Sequence, residues 1–531
     1  IRRDNELLTS GKGSRNVTFK IILEVREQKK EIFTKTLNLN PSQSLVFDYK
    51  KIDLSDFAKE ESLFYFQTHG SKKALAGWFN PVLYVPQQRT KNVILVSLDT
   101  LRADHVGCYG YPRETTPHID ELAKDSVVFL NTFASSPWTL PSHVSLMTAL
   151  NCINHQVYYN DRKIDPALLT LADVLRQHSY SNGAITGGAF VSGSYGFNKG
   201  FDSYHVRGNI TAKDQADRIC RASVDWIERH KDRNFFLFVH TYQIHSPYAS
   251  PPPYNESFLS EEAMFNQFDL RDHRFYQENR FTPPVNEKFR QNIIDIYDGG
   301  IRYTDEVLIG ALIEELKASK IYDNTMLIIL SDHGEEFYEH KGWAHSHSVY
   351  NELIKVPLII KFFDSEYAGV NVTKYARLID VMPTILDALG IAYPKQYADG
   401  ETLLKLINNK GKRNEERIFL AELATDPIDG KIPKKTAINQ RQNKLIINEA
   451  YDSQNLPYFN SPPPKLEKFE IYDLMADPQE KANTALSNPS LIRQLLRFME
   501  IHFVQKCEWN TGRAESTEEI REQLRALGYI K

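Results

Sequence analysis

The chain has 531 residues, too many for one ordinary domain, since domains run to roughly 100–200 residues and only large α/β types exceed that. Its 41% hydrophobic and 25% charged residues exclude disordered and fibrous classes, and a formal net charge of −4 excludes an overall pull toward nucleic acid or an anionic membrane surface. Any anionic ligand must therefore be held locally.

Ile1 in place of Met is expected of a processed N-terminus from which a signal or anchor has been removed. Residues 1–88 carry short, partly alternating apolar runs at 17–25, 32–39, 44–49 and 62–67, broken by turn residues, a spacing that predicts a small β-sandwich. The stretch 86–91 (PQQRTK) reads as a linker. From Asn92 onward, buried-strand runs alternate with amphipathic helices, the pattern of parallel βαβ units. Strands are predicted at 93–98, 235–239, 326–330 and 356–361. Helices are predicted at 212–230 and over 287–317, the second interrupted near Gly299 and Gly300. Residues 250–284 read as a surface excursion. No run reaches the roughly 18–20 apolar residues of a membrane helix. Strands at 444–447 and 470–473 then return without long crossover helices, and a last helix is predicted at 516–527. The expected fold class is α/β: a mostly parallel central sheet sandwiched by helices over 89–400, preceded by the β-sandwich of 1–88 and followed by a small α+β portion over 401–531. Cys108, Cys152, Cys220 and Cys507 show no CxxC spacing and read as packing thiols.

Asp99 ends the first buried run, and Asp332-His333 ends the run at 326–330. Open α/β sheets bind ligands beyond the carboxyl ends of their strands, so these oxygen and nitrogen donors are expected to converge on a divalent cation. For either aspartate alone, a turn or helix cap is the plainer reading. Thr139 opens the segment TLPSH ahead of an apolar helix, where free N–H groups favour an anion, although an N-cap is the simple alternative. His245 lies in the loop after 235–239, and His345 and His347 follow shortly after Asp332-His333, all in loops at the same expected sheet edge.

From Asn92 to Lys531 the sequence resembles the sulfatase family. NVILVSLDTLRADHVGCYGY is similar to its first metal segment, TTPHIDELA to the following helix and SPWTLPSHVSLMTAL to its nucleophile segment. ILSDHGEEFYEHKGWAHSHSVYNELIKVPLII is similar to its second metal segment, and IYDLMADPQEKANT and EQLRALGYI to its C-terminal signature. The family's C-x-P-S-R or S-x-P-S-R segment, whose first residue becomes formylglycine, is replaced here by Thr139-Leu140-Pro141-Ser142-His143. Threonine cannot become formylglycine, and His143 stands where the family has arginine. The set Asp99, Thr139, Asp332 and His333, with His245 and His345, also resembles phosphoethanolamine transferases and lipoteichoic acid synthases, whose carboxylate is usually Glu where this chain has Asp99.

These resemblances imply a hydrolase or transferase that handles a phospho- or phosphonoester through a Thr139 covalent intermediate. One divalent ion, Zn2+ or Mn2+ in preference to Ca2+, is expected on Asp99, Asp332, His333 and Thr139. His245 is expected to protonate the leaving oxygen and His345 to stabilise developing charge, with His143, Lys341 and His347 in contact with substrate. The implied partner is an anionic ester in an extracytoplasmic setting; oligomeric state is left open. A sulfate-ester hydrolase working without formylglycine and a catalytically silent binding protein are the competing readings.

Overall fold

The computed structural model describes residues 15–39, 50–57, 60–70, 78, 81, 83–86, 90–207, 213–260, 280–284, 286–393, 398–408, 417–424, 432–450, 466–503, 509, 511–515 and 517–527. The chain divides into two compact units, Ile1–Tyr84 and Val85–Lys531. In the first, β1 (Arg15–Val25), β2 (Gln28–Leu39) and β3 (Ser62–Gly70) form one antiparallel sheet in the order β2-β1-β3. Phe19, Phe33 and Phe66 gather edge-on around Trp78, with ring centroids 5.2, 5.9 and 5.3 Å away. The described residues thus hold a single sheet where two facing sheets were expected, and the run expected at 44–49 lies outside them.

In the second unit the chain lays down β4 (Asn92–Leu98), β5 (Val127–Phe129), β6 (Thr132–Phe133), β7 (Ser181–Thr186), β8 (Ser203–Val206) and β9 (Phe235–Thr241). It continues through β10 (Thr325–Leu330), β11 (Glu336–Phe337), β12 (Trp343–Ala344), β13 (Lys355–Val356), β14 (Leu358–Lys361), β15 (Val370–Val372) and β16 (Ala376–Arg377). Eight of these make the central sheet, in the order β15-β5-β14-β10-β4-β9-β7-β8. All its pairings are parallel except those β14 makes with β10 and β5. Strands β4, β9 and β10 are buried along their whole length because helices cover both faces, which is why they read as continuous apolar runs. Side chains alternate between the two faces. Val93 and Leu95 join the core beneath the helices Thr139–Thr148 and Val381–Ala388, whereas Ile94, Val96 and Leu98 join the one beneath Gln215–His230 and Glu287–Thr304.

Two local expectations are corrected. The apolar run 356–361 is split at Pro357, which lacks a backbone N–H: β13 pairs with β6 in a small separate sheet, while β14 enters the central sheet antiparallel to β10. The helix Glu287–Thr304 passes straight through Gly299 and Gly300, and the irregularity falls later, in the π-helical turn Asp305–Gly310. Gly299 is needed for closeness, since a Cβ there would lie 2.2 Å from the carbonyl oxygen of Tyr254.

The C-terminal portion adds β17 (Leu420–Leu423), β18 (Lys435–Gln440), β19 (Asn443–Asn448) and β20 (Phe469–Asp473) as an antiparallel meander. One face packs on the helix Pro489–His502 through Ile438, Leu445, Ile471 and Leu495, while Ala437, Ile446 and Tyr472 join the main core. Among the described residues no helix is long and apolar enough to cross a membrane.

Candidate metal centre

Strands β4 and β10 are parallel neighbours with Ser97 opposite Leu330, so the residues that follow them emerge side by side at the carboxyl edge. Asp99 leaves β4 through Thr100, a β-branched residue at φ 63°, a conformation costly for such a side chain. The buried Tyr297 hydroxyl holds this strained link, donating to the Thr100 carbonyl at 2.7 Å and accepting from the Arg102 N–H at 2.9 Å.

Asp99, Asp332 and His333 are fully buried, and one ligand atom from each lies within 4.8 Å of the others. His333 Nδ1 sits 2.9 Å from the Gly334 carbonyl, which can only accept, so this nitrogen carries the proton. Its Nε2 faces Asp332 Oδ2 at 3.4 Å and Asp99 Oδ1 at 3.7 Å. Asp99 Oδ1 and both carboxylate oxygens of Asp332 have no hydrogen-bond partner among the described residues. Burial, then the neighbouring Asp332 and Glu335, push the Asp99 carboxyl well above the usual range. Burial also opposes ionisation of Asp332, yet His333 and His143 hold it well below the usual range. Two buried carboxylates and an imidazole nitrogen turned toward one another fit a divalent cation, which would remove the repulsion and use the orphaned oxygens.

Thr139 is the first residue of the buried helix Thr139–Thr148, with Trp138 as its N-cap and Pro141 as its third residue. Its hydroxyl donates to Asp99 Oδ2 at 3.4 Å and lies 3.3 Å from His333 Nε2. The Ser142 hydroxyl donates to the Asp332 carbonyl at 2.6 Å, pinning the first helical turn to the end of β10.

His345 and His245 line the outer side, only 4% and 3% exposed. The His345 ring centroid is 4.4 Å from that of His333 and 4.8 Å from that of His245, and its Nδ1 is 2.8 Å from Glu335 Oε1. Burial, reinforced by His333, lowers the His345 pKa well below its ordinary value, and burial with His345 pushes His245 down to about 3. Burial raises the Glu335 carboxyl despite the opposing histidines.

The three residues expected to touch substrate are placed differently. His143 is fully buried one helical turn beyond Thr139, with Nδ1 2.9 Å from the Thr139 carbonyl and 3.3 Å from Asp332 Oδ2, and Nε2 3.0 Å from the Ser97 hydroxyl. His347 is held by Glu336 Oε2 at 2.7 Å and lies 3.2 Å from the His345 carbonyl. Lys341 is exposed on the hairpin between β11 and β12 and makes no hydrogen bond or ion pair to the cluster among the described residues. Two residues escaped the sequence reading. Glu335, two positions beyond His333, pairs with His345; His240, a polar residue near the end of β9, places Nε2 3.3 Å from Asp99 Oδ2. The signal for His240 was a histidine inside the otherwise apolar run FFLFVHT.

The β11–β12 hairpin is tied to the C-terminal portion through His340. Its Nδ1 lies 2.5 Å from Glu352 Oε1 and its Nε2 3.0 Å from the Glu480 carbonyl, so both nitrogens must donate and the ring is an imidazolium. Burial works against the charge, but Glu352 outweighs it and lifts His340 to about 9. A pKa raised on folding contributes stability that is complete below the unfolded value and lost as pH rises through the folded one. Between pH 7 and 10 the protein is expected to lose on the order of 1–2 kcal/mol that His340→Gln does not lose, measured by urea unfolding across that range.

The family model described as Sulfatase matches residues 91–391, and that described as N-sulphoglucosamine sulphohydrolase, C-terminal, matches residues 339–500. The chain is 24% identical over 375 residues to the ulvan-active sulfatase of Formosa agariphila, covering 64% of this chain and 69% of that protein. It is 25% identical over 485 residues to the multifunctional alkaline phosphatase superfamily protein PehA of Trinickia caryophylli, covering 74% and 91%. The crystal structure of the phosphonate monoester hydrolase of Agrobacterium radiobacter superposes with a TM-score of 0.60 at 19% identity, covering 78% of this chain and 96% of that one.

Proposed function

The chain belongs to the sulfatase family of the alkaline phosphatase superfamily, and from that premise we propose that it cleaves or transfers a phospho- or phosphonoester group through a covalent intermediate on Thr139. The observation that supports this is the Thr139 hydroxyl, 3.4 Å from Asp99 and 3.3 Å from His333 in the segment where the family carries its modified cysteine or serine. A formylglycine hydrate can release bound sulfate by C–O cleavage, because its second hydroxyl drives the elimination. A threonine ester has no such hydroxyl, but a phosphothreonine can be resolved by a second attack at phosphorus.

A divalent ion, Zn2+ or Mn2+ given the nitrogen donor, held by Asp99, Asp332, His333 and Thr139 would lower the hydroxyl pKa and offset charge on the ester oxygens. In the first step the Thr139 Oγ–P bond forms, the bond from phosphorus to the leaving oxygen breaks, and the hydroxyl proton leaves toward Asp99 Oδ2. The leaving oxygen takes a proton from His245. That ring is held neutral by burial, so it takes up a proton as the anionic ester binds before giving one. His345, with Nδ1 held by Glu335, likewise takes up a proton as the anionic ester binds and donates from Nε2 to an oxygen on phosphorus. Water or an alcohol then attacks the phosphothreonine, and Thr139 is regenerated. We place this chemistry outside the cytoplasm.

A paired assay on aryl phosphodiester, aryl phosphonate and aryl sulfate tests the assignment, with mass spectrometry of Thr139 after rapid quench. Faster sulfate turnover with no phosphate on Thr139 would favour the second reading, a sulfate-ester hydrolase, to which the match over residues 339–500 and the ulvan-active relative lend support. Residues 1–88 are proposed to be a separate β-module that supplies no catalytic group. A protein starting near Gln87 is expected to retain metal and turnover; a folded, metal-loaded truncation without activity would show that the module completes the site.

A further inference from the structure

Beneath the candidate metal centre, on the side away from His245 and His345, lies a polar layer that the proposed reaction does not use. In the parallel pairing of β4 with β9, Ser97 stands opposite His240, one layer below Asp99. His143 reaches this layer from the helix Thr139–Thr148, and its ring lies edge-on to that of His240, centroids 5.0 Å apart. Both histidines are fully buried, and each has a nitrogen turned toward an acidic residue of the centre.

Their nitrogens can be assigned from their partners. His143 Nδ1 faces the Thr139 carbonyl and Asp332 Oδ2, which only accept, so it carries the proton, and Nε2 receives the Ser97 hydroxyl. His240 Nε2 faces Asp99 Oδ2, again an acceptor, and its Nδ1 has no partner among the described residues. A buried nitrogen left unsatisfied is unfavourable, and an apolar side chain would fill the space without that loss. Core filling alone therefore does not account for His240.

We propose that His143 and His240 are positioning residues, each set from below against one of the two acidic ligands of the centre: His143 Nδ1, bonded to the Thr139 carbonyl, lies 3.3 Å from Asp332 Oδ2, and His240 Nε2 lies 3.3 Å from Asp99 Oδ2. The inference rests on the reading of Asp99, Asp332 and His333 as a metal site. Such outer partners restrict a carboxylate to the orientation in which its other oxygen faces the ion. His143 also joins Asp332 to the first turn of the nucleophile helix through the Thr139 carbonyl, so one ring aligns Thr139 and a ligand together.

The test exploits the two nitrogen positions. Asparagine places its amide nitrogen where imidazole has Nδ1, and glutamine where it has Nε2. His143→Asn and His240→Gln keep the donor that faces the carboxylate; His143→Gln and His240→Asn do not. Zn2+ affinity of the metal-stripped protein is measured by competition with a chromophoric chelator, after each variant is checked by thermal melting. The two variants lacking the donor are expected to bind Zn2+ about 10–100-fold more weakly than wild type, and the two retaining it close to wild type. This order crosses between the positions, which side-chain size alone cannot produce. Equal affinities, or weakening that follows size at both positions, overturns the inference. Asp332→Ala separates the two levels: wild-type Zn2+ binding by that variant removes the metal centre itself, while loss of Zn2+ there with four equal histidine variants removes only the positioning role.

Discussion

Thr139→Ala is expected to lower turnover of an aryl phosphodiester by at least about 10³-fold, because covalent catalysis is lost while the rest of the site stays in place. The substitution removes the hydroxyl that faces Asp99 and His333 together with the γ-methyl group. It does not remove a helix cap, since Trp138 occupies that position and Ser142 still pins the first turn to Asp332. Folding and Zn2+ binding should therefore be largely kept, which thermal melting and metal analysis check. Thr139→Ser should retain part of the rate, having the same nucleophile without the methyl group. A Thr139→Ala protein that turns over at the wild-type rate would eliminate the covalent route and point to single displacement by water.

Asp332→Ala is expected to abolish stoichiometric binding of Zn2+, which elemental analysis after dialysis reads directly. The loss should exceed the about 10–100-fold that an outer partner costs, because a ligand itself is removed from a three-residue cluster. Without metal the substitution acts on Asp99. Asp99 and Asp332 are buried together, and their proximity raises the Asp99 carboxyl. Metal-stripped Asp332→Ala should then hold the Asp99 carboxyl closer to its usual range than metal-stripped wild type does, since the neighbouring charge is gone. Calcium alone in the purified protein, unchanged by Asp332→Ala, would rule out the transition-metal assignment at this position.

The sequence by itself determined where the central strands lie and what emerges from them. Strands β4, β9 and β10 are buried on both faces, so burial had to be written as mostly apolar runs, and Asp99 and Asp332-His333 stand out at the ends of β4 and β10. The start of the helix Thr139–Thr148 was legible for the same local reason. Where a run is short the pattern is ambiguous: apolarity over 356–361 records burial, but only the pairing partners show that the residues either side of Pro357 serve different sheets. Gly299 and Gly300 looked like a break because sequence records their propensity and not the Tyr254 carbonyl pressed against the helix. Among the histidines the tertiary structure decided everything. His245 and His345 lie beside the acidic cluster, His143 and His240 lie beneath it, His347 is held by Glu336, and His340 is bonded to Glu352 and Glu480. All but His240 are histidines in or beside polar segments. Periodicity fixes which way a side chain leaves its own strand or helix, but its hydrogen-bond partners can come from segments 190 residues away, as Ser142 and Asp332 do, and that choice exists only once the sheet is assembled.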